Sequence, residues 1–516
     1  MLFRSAYQYP DLFNDVFGPV MQPGSSSHTA GPCRLGYLAH CLLQAPLKKI
    51  TVVLDPRGSF SGTFGHMNED LGMLAGAYGL LPDDERIFDI RRTLREENID
   101  WQFVRESLGE HPHPNAVRFI LEDREGKTYL LQGSSTGGGR IRTENVMGIP
   151  LITDGTAFVY ISAEGFVRTE ESETVWKRIL TGEDGKAFYC TAAAGETDAG
   201  ADYVLRKLTP VAVRRDRGAQ LFAGFTEWIR VSGEKGVSLA ETARLYETVS
   251  SGWSRERADA YLSDLAGIME RQTSAVYRDE SGLLETPFSG YHFRQWRRYE
   301  EGGRAIGGSL QNAVIRNVLG VQALCRGVSL VPGPMGTGGG FLYAVLKSAA
   351  EGKGFSGEKL LEALWVAGGV GLIAYSRTEP TGEMTGCAGE CGICGAMAAA
   401  ALTWMAGGTP QQTEHAASLS LQSALGWACD PIPGGCNQPC FSRFMTAAVM
   451  AVTFADLALS GRDAVIPFDE VVDEMNRTGW EMSADLKCTS RGGICRTPAA
   501  RGCQEAFNEW MKTKEE

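Results

Sequence analysis

Beyond about residue 230 the sequence carries almost no strand signal, and this limits the fold more than any other feature. Helix starts take over. Ser238-Leu-Ala-Glu241 is a capping box, in which the serine side chain and the glutamate satisfy each other's orphan backbone donors. Ser356 starts another helix, and Thr409-Pro410 sets a capping residue before a proline at the first helical position. Before about residue 215 the texture differs. Lys49 to Leu54 is β-rich, Val117 to Leu121 and Thr128 to Leu131 flank a polar turn at Gly126 as a hairpin would, and Ala157 to Ile161 is a further strand. The expected fold class is α+β: an N-terminal mixed α/β domain over residues 1–215, then a nearly all-helical domain over 235–516. The polar, glycine-flanked stretch Ser232 to Gly236 marks the expected junction. No internal repeat is visible.

A chain of 516 residues is too long for one ordinary core. Its 43% hydrophobic and 22% charged fractions are those of a soluble globular protein. A net charge of -12 without a basic run argues against nucleic-acid binding, which needs clustered Lys and Arg. The start, MLFRSAYQYPDLFNDVFG, lacks the cationic and apolar regions of a signal peptide. The best apolar run, Ala363 to Tyr375, is shorter than the roughly 20 residues a bilayer span needs, and Gly368, Gly369 and Gly371 interrupt it. The expectation is a cytoplasmic protein with no membrane partner.

Nine of the thirteen cysteines lie between Cys387 and Cys503. In a large chain without an export signal, that concentration points to metal chemistry rather than disulfides. Cys387-Ala-Gly-Glu-Cys391-Gly-Ile-Cys394 has the C-x3-C-x2-C spacing of radical S-adenosylmethionine enzymes, and Cys429, Cys436 and Cys440 offer a second set of three thiols. Three thiolates leave one iron of a cubane cluster free to act as a Lewis acid. After Cys394 comes a helix of small residues, Gly-Ala-Met-Ala-Ala-Ala-Ala-Leu, without the strand-helix alternation of a radical-enzyme barrel. The plain alternative is that these cysteines are buried small hydrophobes.

Six motifs, in order along nearly the whole chain, resemble the iron-sulfur-dependent L-serine dehydratases. Gly24-Ser25-Ser26-Ser27-His28-Thr29-Ala30-Gly31-Pro32 is similar to that family's GPSSSHT-x-GP, and Gly65-His66 to its GHGTD, although Met-Asn-Glu-Asp follows here. His113-Pro-Asn-Ala resembles H-x-N-x. Gly386-Cys387-Ala-Gly-Glu390 with Met397-Ala-Ala-Ala resembles GCQGE…SMAAA. Cys429-Asp430-Pro431 through Pro439-Cys440, then Arg443, resembles CDP…PC-x-x-R, and Thr489-Ser490-Arg491-Gly492-Gly493 resembles TSRGG. The resemblance implies an oxygen-sensitive 4Fe-4S cluster held by Cys387, Cys429 and Cys440, with one iron not bound by cysteine. Cys391 and Cys394 then become extra thiols packed nearby, and Cys436 a lesser substitute for a ligand.

The implied reaction is dehydration of L-serine to aminoacrylate, then release of pyruvate and ammonia. Losing water needs a metal to bind the poor leaving group, a positioned base and an anchored carboxylate. His66 is the expected base, with His28 and His113 orienting the substrate or stabilising charge; all three are expected to face the cluster across the domain interface, or else to be structural histidines. His415, on a predicted helix beside Ala416 and Ala417, is an ordinary one. The hydroxyl-rich run of Ser25, Ser26, Ser27 and Thr29 offers donors to an anion, and Arg443 and Arg491 are candidate carboxylate clamps. Gly338 and Gly339, in Gly336-Thr-Gly-Gly-Gly340, resemble part of the family's PTNGACG-type loop and are candidate substrate contacts; without a Lys-Ser/Thr ending the loop is no P-loop.

No Ser-x-Lys-x-Arg-Gly stretch exists to seat pyridoxal phosphate. Glycine in that loop, and Thr381-Gly-Glu-Met-Thr-Gly-Cys387 in place of SGAE-x-GC, bear on the substrate. The alternatives are therefore a dehydratase of another small hydroxy acid such as 2-(hydroxymethyl)glutarate, an L-cysteine desulfidase, or an iron-sulfur redox or oxygen sensor. A homodimer is the expected assembly. Residues from about 150 to 230 stand where some relatives carry a small regulatory domain, and Cys495 or Cys503 in the tail is a candidate resting-state ligand.

Overall fold

The computed structural model describes residues 9–197, 200–214, 216–284, 292–332, 340–432 and 439–515. The chain divides into two compact units: residues 24–219 with 249–252, and residues 1–23, 220–248 and 253–516.

The first is a sheet unit. Strands β1 (Leu47–Leu54), β2 (Asp100–Arg105), β3 (Ala116–Asp123), β4 (Thr128–Gly137) and β5 (Arg140–Val146) form one sheet in the order β2-β1-β3-β4-β5. Only β1 and β2 are parallel. Parallel neighbours need a crossover, and helices Glu69–Tyr78 and Ile90–Glu96 supply it. Strand β3 alternates as a half-buried strand should: Val117, Phe119 and Leu121 point into the core, and Arg118, Ile120 and Glu122 do not. Strands β6 (Phe158–Ser162), β7 (Thr174–Thr181), β8 (Ala187–Ala193) and β9 (Tyr203–Leu205) make an antiparallel sheet in the order β7-β8-β6-β9. Both sheets share one core, in which Phe119 and Leu131 of the first join Val159 and Ile161 of the second.

The second unit is helical among its described residues. Two of the expected caps are in place, with Ser356 accepting the Lys359 N–H and Thr409 and Gln412 forming a reciprocal capping box. Ser238 accepts the Glu241 N–H at 3.2 Å, but the Glu241 carboxylate pairs with Arg244 and Arg255 instead of completing the box. Helix Ile393–Met405 is buried on all sides, as its run of alanines allows, and packs against helices Gly357–Arg377, Pro410–Ala424 and Cys440–Leu459.

Two sequence expectations need correcting here. Ser232 to Gly236 is not a junction but the last turn of helix Phe225–Lys235 with its glycine cap; Gly236 takes the left-handed conformation (φ 65°) and closes the turn. Nor do Gly368, Gly369 and Gly371 interrupt the apolar run. Helix Gly357–Arg377 passes through them, and each gives close approach: a Cβ would strike Leu12, Trp228 or Val16, respectively. Among the described residues three helical runs, this one included, are long and apolar enough to cross a membrane by length and composition: Gly357–Arg377, Ala388–Met405 and Cys440–Leu459. The first two are 78% and 89% buried within the protein, where core helices acquire the same composition.

The close approach at Gly369 is testable. Trp228 is fully buried, stacks on Phe222 at 5.1 Å and donates its indole N–H to the Leu239 carbonyl, so the ring cannot yield to a methyl group. Gly369→Ala, although it improves helix propensity, is expected to destabilise the unit by about 1–3 kcal/mol through overpacking. A lowered thermal midpoint with unchanged helical circular dichroism is the expected reading.

Candidate active site and thiol cluster

In the sheet unit the serine run forms a π-helical turn, Ser26–Ala30, that leads directly into helix Gly31–His40. Ser25 caps it by accepting the His28 N–H at 3.2 Å, and Thr29 accepts the Ser25 N–H at 3.0 Å while donating to the Met67 carbonyl. All of Ser25, Ser26, Ser27, His28 and Thr29 are buried. The His28 ring is held at both nitrogens, Nδ1 at 2.9 Å from Ser27 Oγ and Nε2 at 2.9 Å from Ser59 Oγ, and rests edge-on against Phe60. Such a ring is fixed in orientation, which suits directing a hydrogen bond better than swinging as a base.

His66 closes the turn after the short helix Ser59–Gly62, donating its N–H to Thr63. It is 6% exposed, and burial together with the neighbouring His28 lowers its pKa to about 3, so its imidazole stays neutral at ordinary pH. His113 is half-buried and accepts the Asn115 N–H at Nδ1, 3.1 Å away.

Two polar residues of this unit were given no role from sequence, although Asn115 stands in the H-x-N-x-like element. Asn115 is fully buried, and neither atom of its side-chain amide has a hydrogen-bond partner among the described residues. Glu69 is fully buried too, with Oε2 accepting the Met67 N–H at 2.9 Å. The only sequence signal for Glu69 was the departure that follows His66. Burial, then the charge of Asp70, raises the Glu69 pKa from 4.5 to about 8.

That shift has a sign. The folded state keeps the Glu69 proton up to about pH 8, whereas the unfolded chain loses it near 4.5. The contribution to stability is therefore complete below the unfolded value and is lost as pH rises through the folded one. Glu69→Gln is expected to flatten the fall in denaturant midpoint between about pH 5 and 8. A variant with the wild-type slope would show that Glu69 ionises normally.

The helical unit gathers sulfur. Helix Gly382–Thr385 is capped by Thr381, and Gly386 then turns in the left-handed region (φ 64°), delivering Cys387 to a π-helical turn, Ala388–Gly392. The Cys387 N–H is tied to the Trp427 carbonyl at 2.8 Å. Its sulfur lies 3.2 Å from that of Cys391, and hydrogen bonding from Cys391 lowers the Cys387 pKa against the opposing effect of burial, with help from the Arg443 charge. Cys394 takes another direction, against the Leu342 backbone, and burial raises its pKa.

Cys429 is pinned on both sides: its N–H donates to the Leu486 carbonyl at 2.8 Å, and its carbonyl accepts from Cys488 at 2.6 Å. The thiols of Cys429 and Cys488 are hydrogen-bonded to each other. Gly382 leaves room for the Cys429 sulfur, which would sit 2.7 Å from a Cβ there. A carboxylate oxygen of Glu383 lies within 4.8 Å of the Cys488 sulfur.

Cys440 opens helix Cys440–Leu459, and Arg443 stands one turn later. The Arg443 guanidinium pairs with Asp430 at 2.7 Å, both largely buried, and feels the charges of Cys387 and Cys440. The TSRGG segment folds onto the Cys429-Asp430-Pro431 turn: Ser490 donates to the Pro431 carbonyl at 2.8 Å, and Asp430 accepts the Ile494 N–H at 2.7 Å. Arg491, expected as a clamp, is half-exposed beside Asp485. Cys495 contacts the carbonyls of Asp430 and Pro431, and Cys503 lies half-buried on the last helix, Pro498–Glu515. Gly338, Gly339 and Cys436 fall outside the described residues.

Cys387, Cys429 and Cys440 are thus drawn into one electrostatic neighbourhood of the helical unit, with Cys391, Arg443 and Asp430. Cys488, which no motif singled out, joins them.

The family described as serine dehydratase alpha chain matches residues 234–495, which include all of these thiols. A probable L-serine dehydratase alpha chain of Bacillus subtilis is 29% identical over 283 residues, 54% of this chain and 93% of the relative. The L-serine dehydratase alpha chain of Peptoniphilus asaccharolyticus is 28% identical over 281 residues, 54% of this chain and 96% of the relative. L-serine dehydratase 2 of Escherichia coli aligns at 25% identity over 496 residues, 94% of this chain and 97% of the relative.

Proposed function

The chain belongs to the L-serine dehydratase family, and from that premise we propose that it is a cytoplasmic, 4Fe-4S-dependent hydro-lyase converting L-serine to pyruvate and ammonia. The observation that carries this reading is the gathering of the Cys387 and Cys440 thiols around Arg443, with the Cys429 thiol beside Cys387. Soft thiols, buried at Cys387 and Cys429 and half-buried at Cys440, fit an iron-sulfur group, and a guanidinium beside Cys387 and Cys440 offsets part of the negative charge that three thiolates bring. Cys387, Cys429 and Cys440 would hold the cluster. When bound, it supplies an iron without a cysteine ligand, a Lewis acid for the departing hydroxide.

The protein's own groups do the rest. Asp430 holds Arg443 by its ion pair, so the cation stays fixed beside the thiolates. In the sheet unit, His66 takes the proton from the substrate carbon next to the carboxylate onto an imidazole nitrogen, for which its neutral state is required. His28, locked between Ser27 and Ser59, orients the substrate. Loss of that proton and of the hydroxyl leaves aminoacrylate, whose imine tautomer hydrolyses to pyruvate and ammonia.

The test is anaerobic reconstitution with iron and sulfide, then assay of pyruvate and ammonia from L-serine beside dehydration of 2-(hydroxymethyl)glutarate. Equal amounts of pyruvate and ammonia from serine are expected. A cluster-loaded protein that releases no ammonia from serine, yet dehydrates the glutarate, would move the reading to another hydroxy acid.

A further inference from the structure

We propose that Cys391 and Cys488 are positioning residues, each donating an S–H···S hydrogen bond to the cluster-ligand thiolate beside it: Cys391 to Cys387, and Cys488 to Cys429. This rests on the reading that Cys387 and Cys429 hold the cluster.

Two independent backbone devices build the same arrangement. In the first, the π-helical turn carries Cys391 four residues past Cys387 and sets the sulfurs 3.2 Å apart, both fully withdrawn from water. In the second, Cys488 comes from a segment 59 residues further along the chain. Residue 488 adopts the left-handed conformation (φ 57°), unusual for a side chain other than Gly, Asn or Asp. Its N–H reaches the Cys429 carbonyl at 2.6 Å, and its free thiol is within hydrogen-bonding reach of the free Cys429 thiol. Two separate routes to a thiol paired with an expected ligand are more than the packing of small hydrophobes requires.

Abutting sulfurs cannot both carry full negative charge in a buried site without strong repulsion. With Cys387 and Cys429 bound to iron as thiolates, the arrangement that avoids this keeps the protons on Cys391 and Cys488, as donors. A donor to a ligand sulfur spreads its charge and raises the cluster's reduction potential. Cys394, three residues past Cys391 but directed to the Leu342 backbone, is the internal control.

The experiment is an anaerobic redox titration of the reconstituted cluster, read by electron paramagnetic resonance, in the wild type and in Cys391→Ala, Cys391→Ser, Cys488→Ala, Cys488→Ser and Cys394→Ala. Each alanine at 391 or 488 is expected to lower the ratio of reduced to oxidised cluster at fixed potential by about fivefold, the size of one ordinary hydrogen bond. Each serine, which keeps an O–H donor, is expected to restore most of it, and Cys394→Ala to leave it unchanged. Alanine and serine variants that titrate alike, or like the wild type, would overturn the donor role. Iron loss in both Cys488 variants would overturn it in favour of direct ligation. Having two pairs keeps the test usable if one variant does not fold. A wild type that takes up no iron defeats the cluster reading itself, and this inference with it.

Discussion

Cys429→Ser is expected to lose iron and sulfide on reconstitution and to lower serine dehydration to background, while the protein stays folded. The substitution exchanges sulfur for oxygen with little change in volume. The backbone there is tied to Leu486 and Cys488 through groups that serine keeps. What disappears is a soft thiolate, which a hydroxyl does not replace as an iron ligand. Metal and sulfide analysis beside a thermal melt separates loss of the cluster from loss of the fold. Cys394→Ser should load normally. The reverse pattern, with Cys429→Ser full and Cys394→Ser empty, would favour the compact C-x3-C-x2-C ligand set of a radical enzyme.

His66→Asn carries the second large effect. Asparagine is polar and of similar size but takes no proton at neutral pH, so the proposed reaction should slow by about 10²–10⁴-fold in kcat. The deficit should persist from about pH 6 upward, because burial and His28 hold the imidazole neutral there. A linked effect on stability has a definite sign. With its pKa lowered from 6.5 to about 3, His66 contributes stability that is present above 6.5 and lost as pH falls toward 3. The variant should lose less stability across that acid range. A near-normal rate with an altered acid limb would make His66 structural and move the search for a base to His113.

Strand and helix starts were legible because their signals act within a turn. The hairpin at Gly126 and the caps at Ser356 and Thr409 depend on residues a few positions away, and the structure has them. The glycines of helix Gly357–Arg377 were misread for the opposite reason. Whether a glycine interrupts a helix or admits a neighbour depends on what arrives, here Leu12, Val16 and Trp228, each more than a hundred residues away in sequence. Ser232 to Gly236 was misread because a polar last turn with a glycine cap has the composition of a linker.

The thiol site divides in the same way. Its location in the last third, and the kind of chemistry that cysteine and arginine could support there, were set by the sequence alone, through motifs whose residues are close neighbours. Which sulfurs meet was decided only by tertiary structure. The Cys387–Cys391 contact depends on a π-helical turn, since spacing does not say whether two side chains share a face. The Cys429–Cys488 contact depends on a bridge between segments nearly sixty residues apart, and no local signal reaches that far.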